Sequence, residues 1–232
     1  MIKIFSPVYL VGDMHADTEA VISFIERTRT PEKATYIFLG DIGMFAPSSS
    51  LSYKTLDSAL KKKDSKAYFI RGNHDNPKLF KQENFPKFER IFLLEDLEEV
   101  EILGKKGIVL GGAISIDRIL REENVSYWMS EGVLSVDLVP DKKYDFVLAH
   151  TGLRPPSESF PLMMRNIPSI FVKRDKALQQ DLNQEEENIK NILSKIRPKD
   201  WYSAHYHTHD IFTYEDTKFT VLDINHIFPL SE

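Results

Sequence analysis

The stretch VYLVGDMH, residues 8–15, contains the pattern that decides the fold. Val8 to Val11 are aliphatic and aromatic residues that favour a short buried strand. Gly12 ends the apolar run, and Asp13 and His15 follow it. Polar side chains placed directly after a buried strand are typical of α/β proteins, in which ligands bind outside the carboxyl ends of the strands.

The same succession of apolar run and polar group recurs four more times along the chain. Since the carboxyl ends of parallel strands meet at one edge, we expect these polar groups to lie together at one edge of one sheet. A strand also points alternate side chains to the same side, so pairs two residues apart can converge if the extended backbone continues. The further runs with their polar groups are 35–39 with Asp41, 67–70 with Asn73, His74 and Asp75, 144–148 with His150, and 201–204 with His205 and His207.

Three segments between the apolar runs show the spacing of amphipathic helices. Apolar residues recur on one face in residues 17–28, 51–63 and 184–196. Asp17 is a candidate N-cap, with Ala20 among the residues expected to face the core. Strands that alternate with helices predict parallel strands covered by helices.

The middle and the end of the chain show a different pattern, with short apolar runs separated by turns. Residues 89–94, 99–103 and 107–110 predict three successive strands of a meander, and 211–214 with 219–222 predict a hairpin. Two groups of strands with helices outside predict a layered α/β/β/α sandwich with two mixed sheets.

The composition of the chain limits the classes of protein to which it can belong. The chain has 232 residues, a formal net charge of −5 and no cysteine, so thiolate metal sites and disulfides are excluded. We expect a single domain over residues 1–232, with a possible lid or insertion at about 153–180, where prolines and methionines show no clear period. No apolar run is long enough to cross a bilayer and the opening residues lack a cleavage site, so the expected location is cytoplasmic without membrane association.

Each polar residue taken alone has an ordinary structural explanation. An Asp after a strand commonly caps a helix or forms a turn, and a lone His is commonly a hydrogen-bonded core or surface residue. Six of the seven histidines, however, fall in these motifs or within two residues of one, with His226 the exception. The combined pattern favours a metal site built from nitrogen and oxygen ligands.

The motifs GDMH (12–15), GD (40–41), GNHD (72–75), AH (149–150) and AHYH (204–207), in this order, resemble the signature of calcineurin-like metallophosphoesterases of the small bacterial and phage type. The resemblance implies two divalent metal ions and hydrolysis of a phosphate ester by metal-activated water. It implies that His74 stands over the phosphate without binding metal and that Asp41 bridges the two ions. The other ligands implied are Asp13, His15 and His207 for one ion, and Asn73, His150 and His205 for the other.

The ligand types leave the metal open among Mn, Fe, Zn, Ni and Mg. Two details depart from the family pattern. Ala204 stands where the family usually has glycine, and His207-Thr208-His209 offers a second register for the last histidine pair. We favour His205 and His207 as ligands, which leaves His209 at the surface or behind the ligands.

The segment after residue 110 also resembles small metallophosphoesterases, and two explanations of its arginines remain open. Arg118 or Arg121 could hold a phosphate through two parallel hydrogen bonds. Alternatively, the segment is a buried strand, a glycine turn and a short helix in which the arginines form ion pairs.

The substrate class also remains open between phosphomonoesters and phosphodiesters. The Asp-Arg-Gly that follows the second motif in protein phosphatases is absent from residues 40–45, which counts against a phosphoprotein substrate. The net charge gives no support for nucleic acid, although Arg165, Lys173 and Arg174 could supply a basic face. The alternative function is a non-catalytic scaffold of the same fold that binds metal and other proteins. The sequence predicts no oligomeric state.

Overall fold

The computed structural model describes residues 1–5, 7–27, 30–44, 51, 53–156, 158 and 167–230, with the backbone alone in 167–169. Within these residues the chain forms twelve strands and four α-helices. The helices are α1 (Thr18–Glu26), α2 (Tyr53–Lys62), α3 (Ile167–Val172) and α4 (Leu178–Ile196). The strands are β1 (Ile2–Ile4), β2 (Val8–Val11), β3 (Thr35–Phe38), β4 (Lys66–Phe69), β5 (Ile91–Leu93), β6 (Glu99–Ile102), β7 (Lys105–Leu110), β8 (Phe146–Ala149), β9 (Asp200–Ser203), β10 (Asp210–Tyr214), β11 (Thr217–Val221) and β12 (Ile227–Leu230).

The strands form two mixed sheets. The five-stranded sheet has the order β12-β2-β3-β4-β5, in which β12 is antiparallel to β2 and the other neighbours are parallel. The seven-stranded sheet has the order β1-β6-β7-β8-β9-β11-β10, with antiparallel pairs β6–β7 and β10–β11. The prediction of two mixed sheets is therefore confirmed.

Three apolar layers hold the two sheets and the helices together. In β3, Tyr36 and Phe38 face the core beneath α1 and α2, whereas Ile37 and the following Leu39 face the layer between the sheets. The third layer packs α4 against the outer face of the seven-stranded sheet. Because both faces of β3 are buried, its apolar run is continuous, as expected for a parallel strand inside a sandwich. The layers follow the predicted order α/β/β/α.

Several local predictions were wrong. The expected meander does not exist, because β5 pairs with β4 in one sheet while β6 and β7 form a hairpin in the other. The strands β1 and β12 were not predicted. Ala20 is exposed, although it was expected to face the core, and so is Leu51, the first apolar residue of the predicted helix 51–63. The Asp17 side chain makes no capping hydrogen bond.

The last helix is longer than predicted, since α4 begins at Leu178 and not at 184. The insertion expected at 153–180 falls partly on residues 157 and 159–166, which lie outside the described residues, so the insertion and the single-domain organisation stay predictions. In the part of the chain that the structure describes, no helix combines the length and hydrophobicity needed to span a bilayer.

Candidate metal centre

The predicted site residues come together in one place, but not along one sheet edge as expected. Asp13, Asp41 and Asn73 follow β2, β3 and β4 of the five-stranded sheet, whereas His150 and His205 follow β8 and β9 of the seven-stranded sheet. The site therefore lies where the carboxyl ends of strands from both sheets face each other. Two adjacent sheets supply more ligand positions than one sheet edge can.

The first group of side chains consists of Asp13, His15 and His207. The Nε2 atoms of His15 and His207 are 3.1 Å apart, and His207 Nε2 lies 3.2 Å from an Asp13 carboxylate oxygen. Two ligand atoms bound at right angles to one ion, each at about 2.1 Å, lie about 3 Å apart. The spacing of this group therefore fits a single metal ion.

The second group consists of Asn73, His150 and His205. Asn73 Oδ1 lies 2.8 Å from His150 Nε2 and 3.1 Å from His205 Nδ1. His150 Nδ1 lies 2.7 Å from the carbonyl oxygen of Leu39 and donates its hydrogen there, so Nε2 presents a lone pair to Asn73. Asn73 Nδ2 donates to Ser115 Oγ at 2.8 Å, which directs Oδ1 toward the histidines.

In this second group, the lone pair of His150 Nε2 and Asn73 Oδ1 are both hydrogen-bond acceptors. They face each other without a hydrogen atom between them. A cation between the two atoms would turn this repulsion into attraction. Burial lowers the pKa of His150 to about 4 and holds the pKa of His205 well below its usual value. Both rings are therefore neutral near pH 7 and able to bind a metal ion.

Asp41 lies between the two groups and is 1% exposed. One carboxylate oxygen is 3.4 Å from His150 Nε2, and the other is 4.0 Å from His15 Nε2. Burial, with repulsion from Asp13 and Asp75, raises the pKa of Asp41 well above its usual value. A buried carboxylate that lies among acceptors and other acids is suited to a position between cations.

The backbone at the site contradicts one part of the sequence reasoning. His15, His205 and His207 have positive φ values of 46°, 67° and 48°, so the extended conformation does not continue past the strands. The pair Asp13 and His15 converges because the chain turns, and not because strand side chains alternate. Left-handed backbone at residues other than glycine costs about 1 kcal/mol each and is often found at functional sites.

Asp75 fixes the loop that carries Asp41, a role that the sequence analysis did not predict. The buried carboxylate of Asp75 accepts hydrogen bonds from four backbone N–H groups, those of Ile42, Gly43, Met44 and Gly72, at 2.8–3.1 Å. Gly72 must be glycine, because a Cβ atom there would lie 2.1 Å from the backbone nitrogen of Asp41. Asp75 thus holds the GD motif (40–41) and the GNHD motif (72–75) in a fixed relative position.

A second network supports Asn73 and Arg121. The Glu131 carboxylate accepts from the backbone N–H of Ser115 at 2.6 Å and from its hydroxyl at 2.7 Å. Arg121 donates to Ser115 Oγ at 3.2 Å. Burial raises the pKa of Glu131 to about 7. Ser115 and Glu131 both belong to the segment after residue 110. Their roles could not be predicted, because they depend on contacts that no local sequence pattern encodes.

The structure gives different roles to Arg118 and Arg121, which the sequence could not distinguish. Arg118 pairs with Asp175 at 2.6 Å and with Asp181 at 2.7 Å, so it ties its own segment to α4. Arg121 instead lines the cleft, where its Nη2 atom contacts His74 Nε2. Burial first, and then the Arg121 charge, lower the pKa of His74 to about 3.

A cleft of about 400 Å³ opens onto the two groups of side chains. Its lining includes His15, Asn73, His74, Arg121, Arg154, His205 and His207, together with Phe171 of α3 and several residues of α4. Lys173 and Arg174 are exposed and lie outside the cleft lining, and Arg165 lies outside the described residues.

The two departures from the expected motif have simple structural explanations. Ala204 is fully buried in the layer between the sheets. His209 is exposed, donates from Nδ1 to the carbonyl oxygen of Val221 at 3.0 Å, and its ring lies 4.3 Å from that of His226. Among the described residues, it does not belong to the first group of side chains.

The family model for calcineurin-like phosphoesterases matches residues 6–209. The chain belongs to the calcineurin-like phosphoesterase family. This phosphoesterase therefore belongs among hydrolases of phosphate esters, and its groups of Asp and His could hold metal ions.

Solved structures similar to this calcineurin-like phosphoesterase are distant in sequence. Phosphopantetheinyl hydrolase from Mycobacterium tuberculosis is 12% identical, with a TM-score of 0.47 over 96% of this chain and 92% of that chain. A second structure is also 12% identical, with a TM-score of 0.50 over 94% and 91% of the two chains. A serine/threonine phosphatase from Saccharomyces cerevisiae is 15% identical, with a TM-score of 0.40 over 96% and 70%. These likenesses concern the fold and carry no information about the substrate.

Proposed function

We propose that this protein hydrolyses a phosphate ester with the help of two divalent metal ions. The position of the buried Asp41 carboxylate between two separate groups of ligand atoms is the observation that carries the proposal. Asp13, His15 and His207 would hold one ion, Asn73, His150 and His205 would hold the other, and Asp41 would bind both. When bound, such ions polarise the phosphoryl group and make a bound water more acidic.

The side chains at the cleft supply the remaining chemistry. The Arg121 guanidinium is anchored by Asp117 at 2.6 Å and by Ser115 at 3.2 Å, and its planar fork can donate to phosphate oxygens. His74 lies beside it, with its backbone N–H donating to Asp41 at 2.9 Å. In our proposal the two side chains orient the phosphoryl group and stabilise charge on its oxygens and on the leaving oxygen.

The test combines metal content with hydrolysis of p-nitrophenyl phosphate and of its bis-ester in the presence of Mn²⁺. We expect Asp41→Asn to lose bound metal and turnover together, and His74→Ala to keep the metal while losing most turnover. His209→Ala is the matched control, because this histidine lies outside the proposed ligand set.

Two results would contradict the proposal. Full metal occupancy in Asp41→Asn would remove the bridging role, and full turnover in His74→Ala would remove His74 from the reaction. Absence of turnover on both esters, with metal bound, would favour a scaffold. Where turnover occurs, the ratio between the two esters decides between a phosphomonoesterase and a phosphodiesterase.

A further inference from the structure

The part of the cleft lining that comes from α3 and α4, the α3–α4 wall, contains apolar side chains. Leu182 of α4 and Phe171 of α3 line this wall. Ile116, from the segment that carries Arg118 and Arg121, also lines the cleft. Phe171 and Leu182 are partly exposed, so each leaves apolar surface open to the cleft. A wall of this kind has no role in binding metal or phosphate, and it favours contact with an apolar or flat part of a ligand.

Neutral amide groups lie beside this apolar surface. Gln179 and Asn183 occupy successive turns of α4, and Gln179 Nε2 donates to Asn183 Oδ1 at 2.8 Å. Both side chains are exposed, and that contact leaves the Gln179 carbonyl oxygen as an acceptor and the Asn183 amide nitrogen as a donor. Adjacent acceptor and donor groups match the edge of a heterocyclic base or another amide.

The charge of this wall disfavours a polymeric nucleic acid. The residues of α4 that line the cleft include Glu185 and Glu186 and no lysine or arginine, and the basic residues elsewhere in the described lining are two, Arg121 and Arg154. Grooves that bind single-stranded nucleic acid are positively charged along the backbone path. The cleft volume of about 400 Å³ falls within the usual range for small-molecule sites, about 300–1,000 Å³.

The wall is also fixed in place relative to the proposed phosphate site. Arg118 links the segment of Arg121 to Asp175 and Asp181, at 2.6 and 2.7 Å. The backbone N–H of Asp175 donates to the carbonyl oxygen of Phe171 at 2.8 Å. The backbone N–H of Arg121 donates to the carbonyl oxygen of Arg118 at 3.1 Å, so Phe171 and Arg121 are connected through Asp175 and Arg118.

We propose that the α3–α4 wall binds the leaving group of the substrate, and that this leaving group is uncharged, carries a flat ring and is about the size of a nucleoside. The inference rests on the proposed function, since it assigns the substrate class of the same site. Phe171 and Leu182 contact the ring, while Gln179 and Asn183 bind its polar edge. Leu182 and Phe171 are therefore specificity-determining residues and take no part in the bond cleavage.

The experiment uses two substrates with the same reacting bond. Adenosine 5′-monophosphate and ribose 5-phosphate release the same kind of 5′-alcohol, and they differ by the base. If the bis-ester is preferred in the assay above, the methyl diesters of the same two compounds replace them. We expect kcat/KM to be at least tenfold higher for the adenosine compound.

Leu182→Ala and Phe171→Ala should each lower kcat/KM for the adenosine compound about tenfold, mainly through KM, because apolar contact surface is lost. The same variants should change kcat/KM for the ribose compound less than twofold. Asn191→Ala is the control, because Asn191 is exposed on the opposite face of α4. Calorimetry with adenosine and with ribose gives a binding measurement that does not require turnover.

The outcomes separate this inference from the proposed function. Equal kcat/KM for the two compounds, or a loss in Leu182→Ala that is the same for both, would overturn the inference while the phosphoesterase proposal stands. Lack of turnover of every ester would overturn the proposed function. In that case, adenosine that binds no better than ribose would overturn the assignment of the wall as well.

Discussion

Asp75→Asn should destabilise the protein strongly, although the substitution keeps the shape of the side chain. One carboxylate oxygen of Asp75 accepts from the backbone N–H groups of Gly43 and Met44, and the other accepts from those of Ile42 and Gly72. An amide retains one oxygen. Whichever way the amide is turned, two of the four backbone N–H groups face another donor.

The expected loss follows from this count of hydrogen bonds. A buried N–H group without an acceptor costs about 1–3 kcal/mol, so two of them cost about 4 kcal/mol. The substitution also removes the buried charge of Asp75, whose own pKa burial raises, and the repulsion by which Asp75 raises the pKa of Asp41, and these two gains offset part of the loss. We therefore expect the free energy of unfolding to fall by about 3 kcal/mol, a large fraction of the usual 5–15 kcal/mol.

Urea denaturation of the metal-free protein, followed by circular dichroism, measures this loss. Asp64→Asn is the matched control, because Asp64 is exposed, pairs with Arg90 at 2.9 Å, and has a φ of 50° that asparagine tolerates. We expect less than about 1 kcal/mol for the control, as for other surface ion pairs. A loss in Asp75→Asn no larger than in the control would refute the reasoning.

Three further predictions concern the cleft and its supports. Burial raises the pKa of Glu185 to about 7, so between pH 4.5 and 7 the folded state binds more protons than the unfolded state. The free energy of unfolding should therefore fall as the pH rises through this window. Denaturation of Glu185→Gln at several pH values should show a smaller fall. Asp41→Asn should raise the melting temperature of the metal-free protein at pH 7, since burial disfavours the Asp41 charge; in samples prepared with Mn²⁺, a chelator should lower the melting temperature of the unsubstituted protein and leave that of the variant unchanged. Arg118→Ala removes the ion pairs with Asp175 and Asp181, so we expect a loss of about 1 kcal/mol and a higher KM for p-nitrophenyl phosphate, measured by denaturation and steady-state kinetics.

The strands of the five-stranded sheet that bear the site were predictable because each ends in an apolar run. Both faces of β2, β3 and β4 are covered, so their sequences show the run and its end clearly. β1 has three residues, and β12 contains Pro229, which weakens a strand pattern. The pairing partners were not predictable, because the choice between two sheets depends on contacts between distant residues.

The eight proposed site residues could be named because their motifs each follow a strand. Their arrangement could not be predicted, since it depends on left-handed turns at His15, His205 and His207 and on the meeting of two sheets. The support from Asp75 and Glu131 was also missed. A buried carboxylate that accepts backbone N–H groups leaves no periodic signal in the sequence.

The placement of β1 and β12 has a consequence for synthesis of the protein. β1 pairs with β6 in the seven-stranded sheet, while β12 pairs with β2 in the five-stranded sheet, so each sheet contains a strand from the opposite end of the described chain. The edge of β2 stays open after β5 has left the ribosome and until β12 follows, roughly ten seconds at synthesis rates of about 5–20 residues per second. During this interval the nascent chain exposes an unpaired strand edge, which makes it a client for chaperones and a source of aggregation.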